Sequence, residues 1–227
     1  MLVFVRHAES VGNIVSQEER AEWPIPNHEY GITDRGKQQS LITGNYLGDK
    51  FGRNFFDIAF YSYFRRTRET FNGVRPGITW TGIKEVQDSR LNEKWDGIFH
   101  DLSKSEITKR YPDQILLRKR AGYHMYRAPG GENVPDAEMR IISFLAEYMN
   151  MMIEKNVLVV GHGRWFQIFR KVFHGWSVEK FLEIKKTEEP KNCSVSMYDK
   201  YALIQRTLGT HVVPWEGKIT EMKTELA

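Results

Sequence analysis

The sequence predicts an α/β fold organised around an open sheet, and three observations support this prediction. Leu2 to Val5 and Val157 to Val160 are short, uninterrupted apolar runs, as expected of strands that are buried on both faces. Each run stops at polar residues, Arg6-His7 in the first case and Gly161-His162-Gly163 in the second. Stretches with helical spacing lie between the apolar runs, most clearly from Val134 to Ile153.

The first half of the chain contains one loop, one helix and one further strand before a second helix begins. Val15 to Tyr30 is polar and has two closely spaced prolines, so we expect an irregular loop at the rim of a pocket. Thr33 is in the N-cap position of a predicted helix from Gly36 to Asp49. Phe55 to Tyr61 is the second predicted strand, and it leads into Ser62 to Thr70, whose later part begins a helix.

The middle of the chain is expected to leave the sheet. Gly77 to Ile83 is rich in Ile, Thr and Trp and is the predicted third strand. Ser103 to Glu106 has the pattern of a capping box, which opens a helix to about Tyr111, and Pro112 breaks that helix. We interpret residues 98–133 as an excursion that roofs the pocket within a single domain of residues 1–227.

The helix predicted from Val134 to Ile153 carries apolar residues three and four positions apart. We expect two shorter helices at Arg164 to Phe173 and at Val178 to Ile184. The residues of the long helix that are predicted to pack in the core are Met139, Ile142, Leu145, Met149 and Met152.

The end of the chain is predicted to add a hairpin at the edge of the sheet. Asn192 to Tyr198 alternates polar and apolar residues, as an edge strand does, and Tyr201 to Arg206 is its expected partner. Residues 209–227 form an irregular, charged tail, interpreted either as a lid or as a disordered segment.

Composition excludes several classes of protein. The net charge of +4 favours anionic substrates, but the basic residues are interleaved with 29 acidic ones and do not indicate nucleic acid. No segment approaches the run of about 20 apolar residues that spans a bilayer. No secretory signal is visible, and Cys193, a predicted core residue, is the only cysteine, so we expect a cytoplasmic protein. We also expect a monomer or a homodimer without a membrane partner.

Two histidines follow predicted strands and are candidates for one common site. Ligands of open α/β sheets bind beyond the carboxyl ends of the strands, where His7 and His162 are expected. Either histidine alone is as consistent with packing as with chemistry. Together, and with Arg6 and the arginines of Arg65 to Arg68 close by, they favour chemistry.

Six motifs in a fixed order resemble the histidine phosphatase superfamily, in its phosphoglycerate-mutase-like branch. The resemblance implies a three-layer α/β/α sandwich with a mostly parallel sheet, no metal, and a small phosphorylated metabolite as substrate. The motifs are Leu2 to Ser10 with Asn13, Gly31 to Gly36 with Gln39, Ser62 to Thr70, Arg90 to Glu93, Pro129 to Glu132 and Val159 to Gly163.

The chemistry of phosphoryl transfer suggests a role for each site residue. His7 is the expected nucleophile, which becomes a phosphohistidine, and Glu93 is the expected general acid and later the base. Arg6 and Arg66 supply planar forks that match phosphate geometry; the motif of the family selects Arg66, while Arg65 is expected to face solvent. The further donors to phosphate are Asn13, His162 and the backbone amide of Gly163.

Departures from the family pattern point to specificity. The family usually has Gly at the position of Ala8, whose methyl group we expect to be tolerated. Phosphoglycerate mutases continue Arg-His-Tyr-Gly after the glutamate, where this chain has Lys94 to Gly97, and Gly163 is here followed by Arg164. These replacements favour a phosphatase of different or broader specificity. The candidate specificity residues are Ser10, Thr33, Trp95, Lys104 and Arg164.

Three other functions stay open. A phosphoglycerate mutase that uses 2,3-bisphosphoglycerate is the first alternative, because Lys104 and Arg118 to Arg120 could bind a carboxylate or a second phosphate. A catalytically idle protein that binds phosphorylated ligands is the second. A metal-dependent hydrolase is disfavoured, since the chain has no H-x-x-x-H pair. His100 and His124 are the other histidines expected near the mouth of the pocket.

Overall fold

The computed structural model describes residues 1–200, Leu203 and Thr210–Val212, and these form an α/β/α sandwich around one sheet. The sheet order within this part of the chain is β3-β2-β4-β1-β5-β6. The strands are β1 (Leu2–Arg6), β2 (Ile58–Tyr61), β3 (Lys84–Gln87), β4 (Val157–Gly161), β5 (Val195–Tyr198) and β6 (Thr210–Val212).

The sheet is mostly parallel, as predicted. β3, β2, β4 and β1 pair in parallel, whereas β5 runs antiparallel to both β1 and β6. In the β1–β4 pair, Arg6 lies opposite Gly161, so the two strands end level with each other. The residues that follow them, His7 and His162, therefore emerge at the same edge of the sheet.

Helices cover both faces of the sheet. The helices are α1 (Val11–Ile14), α2 (Gln17–Ala21), α3 (Asp34–Phe51), α4 (Arg65–Ile78), α5 (Lys104–Arg110), α6 (Pro112–Met125), α7 (Val134–Glu154), α8 (Gly163–His174) and α9 (Val178–Thr187). None of the helices in the described ranges combines the length and the apolar character needed to cross a membrane.

Alternation along the buried strands divides the core into two layers. Phe4 of β1 packs with the α7 and α8 side, where its ring stacks on Phe166 at a centroid distance of 4.1 Å. Val3 and Val5 pack on the opposite face with α3 and α4, next to Leu47. Successive side chains of a strand point to opposite faces, so continuously apolar strands bury both faces of the sheet.

The prediction of a third strand at Gly77 to Ile83 is wrong. Gly77 and Ile78 complete α4, and the strand follows later as β3, Lys84–Gln87. Gly77 packs so closely on α3 that a Cβ there would lie 2.1 Å from the carbonyl carbon of Gly44. Tertiary packing of the helix thus outweighs the strand propensity of the Ile and Thr residues.

Two segments contain more helix than predicted. The expected loop of Val15 to Tyr30 includes α2, which Ser16 caps by accepting a hydrogen bond from the amide of Glu19 at 3.1 Å. Pro112 ends α5 as expected but also opens α6, because a proline in the first helical turn needs no N–H donor there. Gly122 interrupts α6 with a positive φ of 73°.

The predicted apolar face of α7 is wrong at its first two positions. Met139 is 67% exposed and Ile142 is 45% exposed, so neither is a core residue. The buried face of α7 instead contains Ala137, Ile141 and Phe144, together with Leu145 and Met152 as predicted.

The carboxyl-terminal hairpin differs from its prediction. β5 lies inside the sheet, and the edge belongs to β6, Thr210–Val212, within the tail that was expected to be irregular. In the predicted partner segment of residues 201–206, only Leu203 is described, and it is helical. The expectation of a lid or a disordered tail covers residues 209–227, of which only Thr210–Val212 belongs to the described part of the chain.

Candidate active site

A cavity of about 630 Å³ lies at the edge of the sheet where β1 and β4 end. Arg6 and His7 from β1 and Gly163 from the start of α8 line its inner wall. Residues 98–133 also contribute to the lining, through positions from Phe99 to Ala128.

His7 is buried and held in one tautomer. Its Nδ1 donates a hydrogen bond to the carbonyl oxygen of Ala8 at 2.8 Å, because a carbonyl can only accept. The Nε2 atom therefore carries the lone pair. The Ala8 amide donates to Oγ1 of Thr70 at 2.8 Å, and Ala8 has no positive φ, so the methyl group is accommodated without backbone strain.

His162 lies beside His7 with its ring at a centroid distance of 5.3 Å. Its Nε2 forms a hydrogen bond with Oγ of Ser62 at 2.7 Å, whereas its Nδ1 is buried and lacks a partner in the structure. His162 is fully buried beside His7 and is not part of the cavity wall. The two imidazoles that the sequence expected in one site are therefore adjacent.

Both imidazoles are neutral at neutral pH. Burial lowers the pKa of His7 well below its ordinary value of 6.5, and the neighbouring guanidinium groups of Arg66 and Arg6 lower it further. The pKa of His162 is lowered for the same reasons. A neutral His7 can act as a nucleophile. His162 would become a cation only when a bound anion offsets the positive charge of the two arginines.

Arg66 is buried, and no carboxylate of the described residues forms an ion pair with it. Its Nη1 donates to the backbone oxygen of Asn27 at 2.9 Å and to the side-chain oxygen of Asn27 at 3.1 Å. Its Nε is buried and unpartnered, and burial lowers its pKa to about 10. The adjacent Arg65 instead pairs with Glu69 at 2.6 Å, and its side chain is 46% exposed.

Arg6 and Asn13 add donors near His7. Nη1 of Arg6 donates to the carbonyl oxygen of Pro190, and its Nε is buried without a partner. The side-chain oxygen of Asn13 accepts hydrogen bonds from the amide and the hydroxyl of Ser10, both at 3.0 Å. Its NH₂ group is therefore the part of Asn13 that is left to donate to a ligand.

Glu93 is held by the first turn of α8. Its Oε1 accepts from the amides of Lys94 at 2.9 Å and Trp165 at 3.0 Å, and its Oε2 accepts from the amide of Arg164 at 3.3 Å. Negative groups are favourable at the positive end of a helix dipole. Glu93 lines the cavity, and these contacts fix where its carboxylate lies.

A charged cluster next to Glu93 was not anticipated from the sequence. Arg164 contacts Asp96 at 2.6 Å and donates to the carbonyl oxygen of Lys94 at 3.1 Å, while Nζ of Lys94 lies 3.2 Å from Asp96. Burial lowers the pKa of Lys94. Burial alone would also lower the pKa of Arg164. The carboxylates of Glu93 and Asp96 have the larger effect, so the pKa of Arg164 is raised.

The remaining specificity candidates divide between the cavity and the framework. Ser10 and Lys104 line the cavity, as does Arg164. Thr33 is placed outside the cavity, since it caps α3 by accepting from the Gly36 amide at 3.0 Å. Trp95 is also outside it, stacked on His100 at 3.9 Å. The predicted N-cap position of Thr33 is confirmed.

His100, His124 and Cys193 complete the comparison with the expected residues. His100 lines the cavity, but His124 does not; its Nε2 lies 3.6 Å from Glu138. Cys193 is buried in the core, and burial raises the pKa of its thiol to about 12. No cluster of three or more His, Cys, Asp or Glu side chains suited to a metal ion exists in the part of the chain that the structure describes.

Several cavity residues were not singled out from the sequence, although some of them belong to segments that were expected at the pocket. Tyr30 and Arg20 come from the segment expected to be irregular, and Tyr123 comes from α6. Lys185 of α9 lies over the Tyr123 ring at 4.2 Å from its centroid. These residues approach the site only because distant helices pack together, which no local pattern encodes.

Comparison with known proteins gives consistent similarities. The model of the histidine phosphatase superfamily (branch 1) matches residues 2–202. A phosphoglycerate mutase-like protein of Arabidopsis thaliana is 25% identical, over 92% of this chain and 77% of its own length. A 2,3-bisphosphoglycerate-dependent phosphoglycerate mutase of Nitrobacter winogradskyi is 29% identical, over 80% and 84%.

Solved structures share the fold. A mycobacterial glucosyl-3-phosphoglycerate phosphatase superposes with a TM-score of 0.67 at 20% identity, covering 86% of this chain and 87% of the other. The alpha-ribazole phosphatase from Shigella flexneri gives a TM-score of 0.70 at 16% identity, covering 87% and 90%. At these identities the likeness concerns the fold.

Inorganic phosphate should bind through Arg66 and not through Arg65. We expect Arg66→Lys to weaken phosphate binding by about 10- to 100-fold, because one ammonium replaces a planar fork held by Asn27. The matched control, Arg65→Lys, should stay within threefold. Titration calorimetry measures both, and equal losses in the two variants would contradict the assignment.

Stability should fall on mild acidification. The unfolded chain protonates His7 at its ordinary pKa of about 6.5, whereas the folded chain resists protonation until lower pH, so unfolding becomes easier below about pH 6.5. The free energy of unfolding should fall between pH 7.5 and pH 5.5, and in His7→Asn this fall should be smaller by about 1 kcal/mol, as measured by urea titrations. His28→Asn, at a side chain that is 44% exposed, is the control; an unchanged loss in His7→Asn would refute the expectation.

Proposed function

The chain belongs to branch 1 of the histidine phosphatase superfamily, and from that membership we propose that it is a phosphatase of small phosphomonoesters that works through a phosphohistidine on His7. The observation that carries this proposal is the position of His7. Its Nδ1 is bound to the Ala8 carbonyl, and its ring lies 5.3 Å from that of His162. Two buried guanidinium groups with unpartnered Nε atoms, Arg6 and Arg66, complete the site.

In the first step, the lone pair on Nε2 of His7 attacks phosphorus, and the bond from phosphorus to the alcohol oxygen breaks. Arg6, Arg66 and the NH₂ group of Asn13 would hold the equatorial oxygens, where charge is spread in the transition state. His162 would add a further donor once the bound dianion favours its protonation. Glu93 would give its proton to the leaving oxygen.

In the second step, Glu93 accepts a proton from water, and the resulting hydroxide attacks the phosphorus of the phosphohistidine. The phosphorus–nitrogen bond breaks, His7 is regenerated, and inorganic phosphate leaves. Dividing the displacement into two in-line steps lowers the barrier of each. The helix amides that hold Glu93 keep one carboxylate in place for both proton transfers.

The cluster beside Glu93 favours hydrolysis over the mutase reaction. Arg164 is already engaged by Asp96 and by the carbonyl oxygen of Lys94. Its donors are therefore not free to hold a phosphoglycerate for transfer back from His7.

One observation keeps the mutase as the second candidate. Lys104, Arg118 and Lys185 line the cavity away from His7 and have no carboxylate partner among the ion pairs of the described residues. Such cations could hold the second anionic group of 2,3-bisphosphoglycerate. A catalytically idle phospho-ligand binder is disfavoured, because nucleophile, cage and acid occur together. We further propose a reducing compartment such as the cytoplasm, which suits the buried thiol of Cys193.

Substitution of the proposed acid tests the function. We expect the wild-type protein to release phosphate from 3-phosphoglycerate and from an aryl phosphate, in the presence of chelator. Glu93→Gln should lower kcat/KM for the alkyl substrate by about 10²-fold or more, and much less for the aryl substrate, whose leaving group needs no proton. Both rates are measured as released phosphate.

Glu154→Gln is the control, since Glu154 is an exposed carboxylate outside the cavity, and we expect it to stay within threefold. Equal losses on both substrates in Glu93→Gln would reject the acid role. Formation of 2-phosphoglycerate only when 2,3-bisphosphoglycerate is added, with no phosphate release, would replace the phosphatase with the mutase.

A further inference from the structure

Buried polar atoms without partners occur beyond the phosphate cage. Besides Arg6, Arg66 and His162, the described residues include the hydroxyl of Tyr30 and both ring nitrogens of His100 in this condition. Both side chains line the cavity, and the proposed mechanism uses neither. A buried donor or acceptor that lacks a partner destabilises the folded protein, so a ligand that supplies partners is favoured.

The hydroxyl of Tyr30 is rigidly held. Tyr30 is 1% exposed, and its ring packs so closely on Gly12 that a Cβ at that position would lie 2.7 Å from the ring. Trp23 packs edge-on against the same ring at a centroid distance of 5.1 Å. The ring therefore cannot rotate away to water, and its hydroxyl is a fixed group that both donates and accepts.

The imidazole of His100 is fixed next to the phosphate cage. It stacks on Trp95 at a centroid distance of 3.9 Å and lies 6.4 Å from the ring of Phe64. The Phe64 ring in turn contacts His162 at 4.9 Å and lies 4.7 Å from the guanidinium carbon of Arg66. Trp95 itself does not line the cavity.

The charge of this wall selects the kind of group that it can bind. Burial lowers the pKa of His100, so the ring is neutral, with one nitrogen that donates and one that accepts. Burial raises the pKa of the Tyr30 hydroxyl, and the carboxylate of Asp101, which also lines the cavity, raises it further. Guanidinium groups lie near both side chains, but the Tyr30 hydroxyl and the His100 ring are themselves uncharged groups that both donate and accept, as pairing with the hydroxyl groups of a ligand requires.

We infer that Tyr30 and His100 form a hydroxyl-binding subsite for the alcohol part of the substrate, which is therefore the phosphate ester of a polyhydroxylated alcohol such as a polyol or a sugar. This inference rests on the proposed function. Hydroxyls near the phosphate would pair with the Tyr30 hydroxyl and with His100 while the phosphate occupies the arginine cage. An alkyl or aryl phosphate without hydroxyls would leave those atoms unpaired and bind more weakly.

A binding experiment tests this inference without turnover. In the full chain carrying His7→Asn, which removes the nucleophile, titration calorimetry would compare glycerol 3-phosphate with propyl phosphate, its counterpart without hydroxyls. We expect glycerol 3-phosphate to bind at least tenfold more tightly. Adding Tyr30→Phe or His100→Phe, which keep the ring packing, should reduce that ratio to threefold or less.

The matched control is Tyr63→Phe, which removes the hydroxyl of a side chain that is 56% exposed and outside the cavity, and it should keep the tenfold ratio. A ratio near one in the parent, a ratio that both variants retain, or no binding of either ester would overturn the subsite. Failure of the proposed function would appear separately, as a wild-type chain that binds these esters but hydrolyses none.

Discussion

The parallel register between β1 and β4 is the constraint on which the site depends. Arg6 lies opposite Gly161, and the amide of His7 donates to the Gly161 carbonyl at 2.9 Å, so the ladder continues to the residue that carries the imidazole. A slip of one residue would send His162 to the other face of the sheet. The buried, apolar character of both strands prevents that slip, because it would disturb the core on both sides.

The pairing of each arginine separates structural cations from those left for a ligand. Arg65 and Arg164 are neutralised by Glu69 and Asp96, respectively, and serve the framework. Among the described residues, the hydrogen bonds of Arg66 go to the neutral Asn27, and burial lowers the pKa of Arg66 without removing its charge at neutral pH. A buried guanidinium group without a counter-charge destabilises the folded protein until an anion enters, so the binding of phosphate is favoured. Before phosphate binds, the same positive charge keeps the neighbouring histidines neutral.

The fold was largely predictable because its dominant signals are local. The two buried strands that are each followed by a histidine predicted the sheet and the position of His7 and His162. Capping residues such as Thr33 and Ser103 predicted where helices begin. Gly77 to Ile83 misled the prediction, since contact with α3 decides its conformation.

The site was predictable in part. The ordered motifs brought Arg6, Arg66 and Glu93 to the cavity, but the ion pairs of Lys94, Asp96 and Arg164 depend on side-chain geometry. The same holds for Tyr30, which reaches the cavity through packing on Gly12. Residue type and spacing report which groups are available, whereas burial decides which of them remain without partners.

Trapping the covalent intermediate tests the central claim most directly. Rapid acid-free quenching of the protein during turnover of an aryl phosphate, followed by peptide mass spectrometry, should find a phosphoryl group on His7 that is labile in acid and stable in base. The same group should be absent from His162. Steady turnover with no phosphoryl group on His7, or with one on another side chain, would contradict the account.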